Sequence, residues 1–319
     1  MSYAALIRQI EAGNGLGFDD ASRLGAALLD DGVPELETAA FVMALHQHDP
    51  GIEGWLGLHA ALAVRLPHWS LPPGPLRPVL LPAYHGVRAR PHLTPLLALL
   101  LRHFDIPVLI HGVLDGGGGT AAAYVLRELG VMPCASAAQV ATQLSATGLA
   151  FAPAALLHPG LASLLALRAR LGVDTLATRL ALFADPLGGA VRVVPAADAV
   201  SMCAMEPVLA AQGGHALLLT GCEGEAFADP LQRPAMRLLR DGAAEHAYAA
   251  QTGVSATPGL PSPDARASGA WIRDVLERQL PLPLPIRNQL AVCLYAAGYA
   301  DDLNQARAIA AIDGFGLAA

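Results

Sequence analysis

Apolar residues recur at helical spacing through the first 70 positions and predict four helices. Tyr3, Leu6, Ile7 and Ile10 share one face, and Gly13 ends that segment. Asp19 or Asp20 is placed to cap the next helix, which runs to about Asp31. Gly32-Val33-Pro34 breaks the pattern, and a third helix then reaches about His48. Asp49-Pro50-Gly51 reads as a turn, and a fourth helix extends to about Leu66. Leu71-Pro72-Pro73-Gly74-Pro75 follows as a proline-rich linker.

Beyond the linker the pattern changes period. Short apolar runs at Pro78–Leu81 and Pro107–Ile110 read as strands, and Thr94–His103 and Thr120–Leu129 as helices. Further strands are expected at Ala190–Val194 and Ala216–Leu219. Helices are expected near Ala270–Arg278, Ile286–Ala297 and Leu303–Ile312. Strand, loop and helix in alternation argue for a parallel sheet with crossovers. The expected architecture is a helical domain over residues 1–70 and a larger α/β domain over 71–319.

Composition adjusts this picture. Hydrophobic residues make up 54% of the chain, enough for a sizeable core. Mean hydropathy of +0.43 raises the question of a membrane. The longest stretch without Asp, Glu, Lys or Arg, Leu129–Leu167, is interrupted by Pro133, Pro153, His158 and Pro159. It holds no continuous apolar run of the roughly 18 residues that a spanning helix needs. No signal-peptide pattern opens the chain, and a soluble, cytoplasmic protein is expected. Cys134, Cys203, Cys222 and Cys293 lie far apart, with neither a CxxC pair nor metal spacing, and read as free thiols.

All 20 basic side chains are arginine. Formal charge is −6 over residues 1–70, +4 over 71–180 and −5 over 181–319. The middle segment is therefore where an anionic ligand is expected.

Several motifs in chain order resemble the anthranilate phosphoribosyltransferase family. They are Ala39–Leu45, Phe151-Ala152-Pro153 followed by His158-Pro159, Arg168-Ala169-Arg170-Leu171-Gly172, and Asn288–Tyr295 with Ala297-Gly298. The resemblance implies a small helical domain on an α/β domain of the nucleoside phosphorylase and phosphoribosyltransferase type. In that arrangement the helical domain recruits residues from about 150 to 180, and the protein is a homodimer. The loops that carry the family's chemistry differ here. Where the family has Gly-Thr-Gly-Gly-Asp for phosphoribosyl pyrophosphate, this chain has Pro82-Ala83-Tyr84-His85-Gly86. Proline has no N–H and the bulky side chains replace bare backbone, so the standard phosphate cradle is lost. Where the family has Lys-His-Gly-Asn-Arg, only His111 and Gly112 remain. The family's magnesium-holding acidic pair falls near Glu223 and Glu225, with shifted spacing.

Tyr84-x-Gly86-x-Arg88, Leu93–Ala98 and Glu223-Gly224-Glu225 resemble a divergent, YbiB-like branch. That resemblance implies nucleic-acid binding without tryptophan-pathway activity. The acidic N-terminal segment opposes it, since phosphate neutralisation supplies most non-specific affinity.

Each candidate residue has a structural reading beside the functional one. Arg88, Arg90 and His92, with His85, form a cationic rim for phosphates, with Tyr84 as a stacking surface; otherwise they are solvated loop residues. Asp115-Gly116-Gly117-Gly118-Gly119-Thr120 is either an anion nest or a flexible loop with Thr120 as helix cap. Arg168 either receives a carboxylate or phosphate, or joins an ion pair. His111 and His158 read mainly as structural, and His46 with His48 as a helix-end pair. Glu223 and Glu225 either hold magnesium beside a phosphorylated sugar donor or form an exposed acidic turn. Three functions stay open: nucleic-acid binding, phosphoribosyl or glycosyl transfer to an unknown acceptor, and a regulatory or assembly role.

Overall fold

The computed structural model describes residues 2–71, 73–253 and 259–312; Pro72 of the expected linker lies outside the described residues. The chain divides into two compact units, residues 1–68 with 154–186, and residues 69–153 with 187–319.

The first unit is helical. It contains α1 (Tyr3–Glu11), α2 (Phe18–Leu29), α3 (Glu35–Gln47) and α4 (Gly51–Ala63). A later segment adds α8 (Ala154–Leu157), α9 (Pro159–Leu171) and α10 (Leu176–Leu182). Asp19 and Asp20 do not cap α2. Gly17 is the N-cap, and both acids sit in the first turn, where they favour the positive helix end. Helices α2 and α4 cross at bare backbone: a Cβ on Gly57 would lie 2.3 Å from Phe18 O, and one on Gly25 3.0 Å from Ala61 Cβ. Arg179 lies over the Trp55 ring, 4.2 Å from its centroid, and donates to Asp49 at 3.2 Å.

The second unit is a seven-stranded sheet in the order β3-β2-β1-β4-β5-β6-β7. Its strands are β1 (Val79–Ala83), β2 (Val108–Gly112), β3 (Leu149–Pro153), β4 (Val191–Ala196), β5 (His215–Thr220), β6 (Met236–Arg240) and β7 (Ala243–Tyr248). Strands β1 to β5 are parallel, as the alternation predicts, while β6 and β7 run antiparallel at one edge. Every residue of β1, β2 and β4 is buried, which requires cover on both faces. Helices α5 (Thr94–His103), α6 (Ala122–Glu128), α7 (Ala137–Thr147), α11 (Ala199–Gln212), α12 (Ala265–Leu276), α13 (Leu284–Ala297) and α14 (Leu303–Ile312) supply it. One core runs through Leu81, Leu97, Ile110, Phe151, Phe227 and Leu290.

Strand order reverses at β1, which has β2 on one side and β4 on the other. In open α/β sheets this is where a crevice opens beyond the carboxyl ends of the strands. No helix among the described residues is long and apolar enough to cross a membrane.

Gly57→Ala is expected to lower unfolding free energy by about 2 kcal/mol, because the added methyl meets backbone at the α2–α4 crossing. Urea denaturation against wild type checks this.

Candidate functional site

The loop after β1, residues 84–93, lies at the switch point and has no ladder partners for most of its backbone. The turn after β5 supplies them. Glu225 Oε1 accepts from His85 N at 2.8 Å and Gly86 N at 2.7 Å. Glu223 Oε2 accepts from Arg88 N at 2.8 Å, and its Oε1 from Ala89 N at 3.0 Å and Arg90 N at 2.9 Å. Val87 N donates to Thr120 O at 3.1 Å. Every backbone N–H from His85 to Arg90 is thereby satisfied, five of the six by side-chain carboxylates.

The turn that presents these carboxylates is tight. Glu223 and Gly224 both have positive φ, 52° and 81°, and Glu225 N donates to Cys222 O at 2.9 Å. This geometry brings side chains two residues apart to the same loop. Gln289, buried on α13, holds the next stretch: its Oε1 accepts from Ala228 N and its Nε2 donates to Ala226 O, both at 2.8 Å.

Glu225 is buried, and so is His92, whose Nε2 lies 3.6 Å from Glu225 Oε1. Burial raises the Glu225 carboxyl, but the charge and hydrogen bond of His92, the charge of His85 and the Gly86 N–H together outweigh it and hold it below its ordinary value. His92 is therefore no rim cation; it is a buried ring facing Glu225 and packed on Phe227, with ring centroids 5.6 Å apart. His85 is half-buried beside Gly224.

Tyr84 is buried and hydrogen-bonds His111 Nδ1 through its hydroxyl at 2.8 Å. It offers no open face for stacking, because the loop turns its side chain onto the sheet end. Burial, then the Glu225 charge, raises the Tyr84 hydroxyl far above its ordinary value. Burial lowers His111 to about 3, so its ring is neutral at pH 7. Gly112 serves close strand approach: a Cβ there would lie 1.9 Å from Ala83 O.

The glycine-rich stretch is a packed turn. Asp115 accepts from Gly117 N at 3.1 Å, and Gly116 pairs with Gly119. A Cβ on Gly86, whose φ is 72°, would lie 2.7 Å from Gly116 Cα. Thr120 does not cap α6. Its backbone pairs with Val87 on both sides, and Ala121 is the N-cap. Arg88 is exposed and donates to Gly117 O at 2.7 Å, while Arg90 Nε lies 3.4 Å from Asp229.

Arg168 belongs to the helical unit, on α9, where it pairs with Asp174 at 3.4 Å. His158 caps α9 by accepting from Gly160 N at 3.2 Å. His46 ends α3 and contacts Asp174 O at 3.1 Å.

Beside the loop lies a cavity of about 360 Å³ whose polar lining includes Arg90, Glu223, Asp229 and Arg233. Among the described residues no group of three or more His, Cys, Asp or Glu side chains is placed to hold a metal ion. Both Glu223 oxygens accept backbone donors, and Asp229 Oδ1 accepts from Leu231 N at 2.9 Å while facing Arg90. These carboxylates, as arranged, do not fit a magnesium site.

Two outcomes follow. Glu225→Gln is expected to cost about 2 kcal/mol of stability at pH 7, because it replaces the buried carboxylate that accepts from His85 N and Gly86 N with a weaker neutral acceptor. His111 gives a pH signature. Its proton binds near 6.5 in the unfolded chain and about 3 in the folded one, so the unfolded state gains protons as pH falls through that window. From pH 7 to pH 5 this group alone removes about 2 kcal/mol of stability. The stability of His111→Gln, followed by urea titration, is expected to fall by that much less.

No protein-family model matches the chain. The chain is 30% identical over 312 residues to the uncharacterized protein YbiB of Escherichia coli (strain K12), covering 95% of this chain and 97% of that protein. It is 28% identical over 184 residues to the anthranilate phosphoribosyltransferase of Frankia alni, covering 58% of this chain and 50% of that enzyme. Among solved structures, anthranilate phosphoribosyltransferase from Thermus thermophilus superposes with a TM-score of 0.76 at 22% identity, covering 95% of this chain and 92% of the other. The Saccharomyces cerevisiae enzyme in complex with PRPP and Mg gives 0.71 at 14% identity, covering 97% and 93%. The α/β fold with its mainly parallel sheet is thus that of these transferases, and the chain belongs to the anthranilate phosphoribosyltransferase-like family, in its YbiB-like branch.

Proposed function

We propose that this chain is a nucleic-acid-binding member of its family that does not transfer phosphoribosyl groups in the tryptophan pathway. One observation carries the reading: the N–H groups of the loop after β1 are already taken by Glu223 and Glu225. A pyrophosphate group placed there meets two carboxylates instead of free donors, and Coulomb repulsion replaces attraction. The outer side of the same loop keeps exposed Arg88, with Arg90 behind it. Guanidinium groups contact backbone phosphates without needing a glycine cradle. Base stacking on Tyr84 has no part in this reading, since the ring is buried. The proposal takes the protein as a homodimer, as the family resemblance implies; sedimentation velocity at micromolar concentration checks that.

A second reading is transfer of a phosphoribosyl or other glycosyl group to an unknown acceptor. The cavity of about 360 Å³ beside the loop favours it, because it suits a small molecule and mixes cations with carboxylates. In that reading magnesium arrives with a phosphorylated donor and is no resident ion.

Fluorescence anisotropy of a labelled single-stranded oligonucleotide separates the two. Binding is expected at low salt and is expected to weaken steeply toward physiological salt. Arg88→Ala/Arg90→Ala is expected to weaken it about tenfold, ~1.4 kcal/mol. Titration of phosphoribosyl pyrophosphate with magnesium is expected to give no heat. Heat from that titration with no oligonucleotide binding at any salt would establish the second reading instead.

A further inference from the structure

The antiparallel edge of the second unit carries a cavity of about 570 Å³ among β7, the start of α13 and α14. Arg233, Arg287 and Arg307 line it, together with Tyr248 and Asn288, and no carboxylate is among its described lining residues. The chain has net charge −7, so three cations around one cavity without an acid run against its composition.

Two of the guanidinium groups are fixed by neutral partners. Arg307 donates through Nε to the Tyr248 hydroxyl at 2.8 Å and through a terminal nitrogen to Ala247 O at 3.1 Å. Arg233 donates through Nε to Ala249 O at 3.1 Å. Their Cζ atoms lie 4.5 Å and 5.3 Å from the Tyr248 ring centroid. A phenol and two carbonyls orient these groups but do not neutralise them. Arg287 makes no side-chain hydrogen bond or ion pair among the described residues. Helix α13 begins at Leu284, on the same cavity, with neither an acidic residue in its first turn nor a side-chain cap, so its positive end adds to the field.

We propose that this cavity is a binding site for a compact phosphorylated ligand, other than the cavity beside the loop after β1, with which it shares Arg233. Like charges gathered beside an apolar wall are reconciled by a multiply charged anion, and planar guanidinium forks match phosphate oxygens. The volume falls in the range of small-molecule pockets, roughly 300–1,000 Å³. A nucleic-acid strand instead needs a track of cations. The track stops here, because the neighbouring Arg237 and Arg240 are paired with Glu206 and Glu245.

The test is isothermal titration of the full chain with inorganic pyrophosphate, repeated with a single-stranded dodecanucleotide. Pyrophosphate is expected to bind at one site per chain and to raise the melting temperature. Arg287→Gln, which breaks no side-chain contact of this kind among the described residues, is expected to weaken binding about tenfold, ~1.4 kcal/mol. Arg266→Gln removes the same charge from an exposed position on α12 and is expected to change nothing. Three results would overturn the site: absence of both heat and melting shift with pyrophosphate, equal weakening by the two variants, or oligonucleotide binding that depends on Arg287 while pyrophosphate neither binds nor competes.

Discussion

The α/β unit is organised around two carboxylates drawn into a ring of backbone N–H groups. Loop 85–90 ends a buried parallel strand and cannot continue the ladder, so its donors need acceptors from elsewhere. Water cannot serve them all, because Gly86 and Val87 are covered by the glycine-rich turn. Leaving such donors unmade costs about 1–3 kcal/mol each, which explains why a turn more than 130 residues away in sequence holds Glu223 at a positive φ, beside Gly224, to reach them. Once Glu225 is buried there, His92 and the Gln289 clamp become requirements. The burial of Tyr84 on His111 then closes the sheet end beneath the loop.

This arrangement explains how the scaffold persists while the phosphate loop is altered. In a glycine-rich cradle the backbone waits for a ligand anion. Here the chain supplies the anion itself, so the loop keeps its course without a ligand and tolerates Tyr84 and His85 where bare backbone was expected. The negative charge at the switch point is thus structural: Glu223 and Glu225 complete the loop before anything binds.

Much of the fold was legible because period and punctuation agree. Thr94–His103 forms α5 over the residues that its apolar spacing predicts, and β1, β2, β4 and β5 fall on the expected apolar runs. The misses have physical causes. Helix α11 is apolar on most sides and contains Pro207, so it carries no clean helical stripe. Strand β7 reads Ala-Ala-Glu-His-Ala-Tyr, without a buried alternation, although Asp241-Gly242, with φ of 48° and 87°, is a strong hairpin turn signal. The site was legible in its members and not in their roles. Glu223, Glu225, His92 and Tyr84 stand out by type, but which groups they face depends on sheet order, which no local window contains. Gln289 was invisible as a site residue, since a glutamine inside an apolar helix announces nothing until the chain it holds is in place.

The placement of charge within this unit bears on what the protein recognises. At the switch point, backbone donors and side-chain anions cancel one another, leaving Arg88 as the exposed cation of the loop. At the antiparallel edge, guanidinium groups are held by a phenol and carbonyls and remain uncancelled. Backbone cradles and guanidinium groups recognise phosphate differently. The first demands close approach and glycine; the second reaches outward on long stems and tolerates varied geometry. In the reading proposed above, a chain that fills its own cradle and whose basic side chains are all arginine has moved its capacity for anions from main chain to side chain. In that reading, the shift removes the fixed geometry in which a sugar donor is held for reaction, since transfer chemistry depends on positioning of the reacting atoms. On the same reading it leaves phosphate affinity to the arginine side chains, and the proposed role is binding more than catalysis.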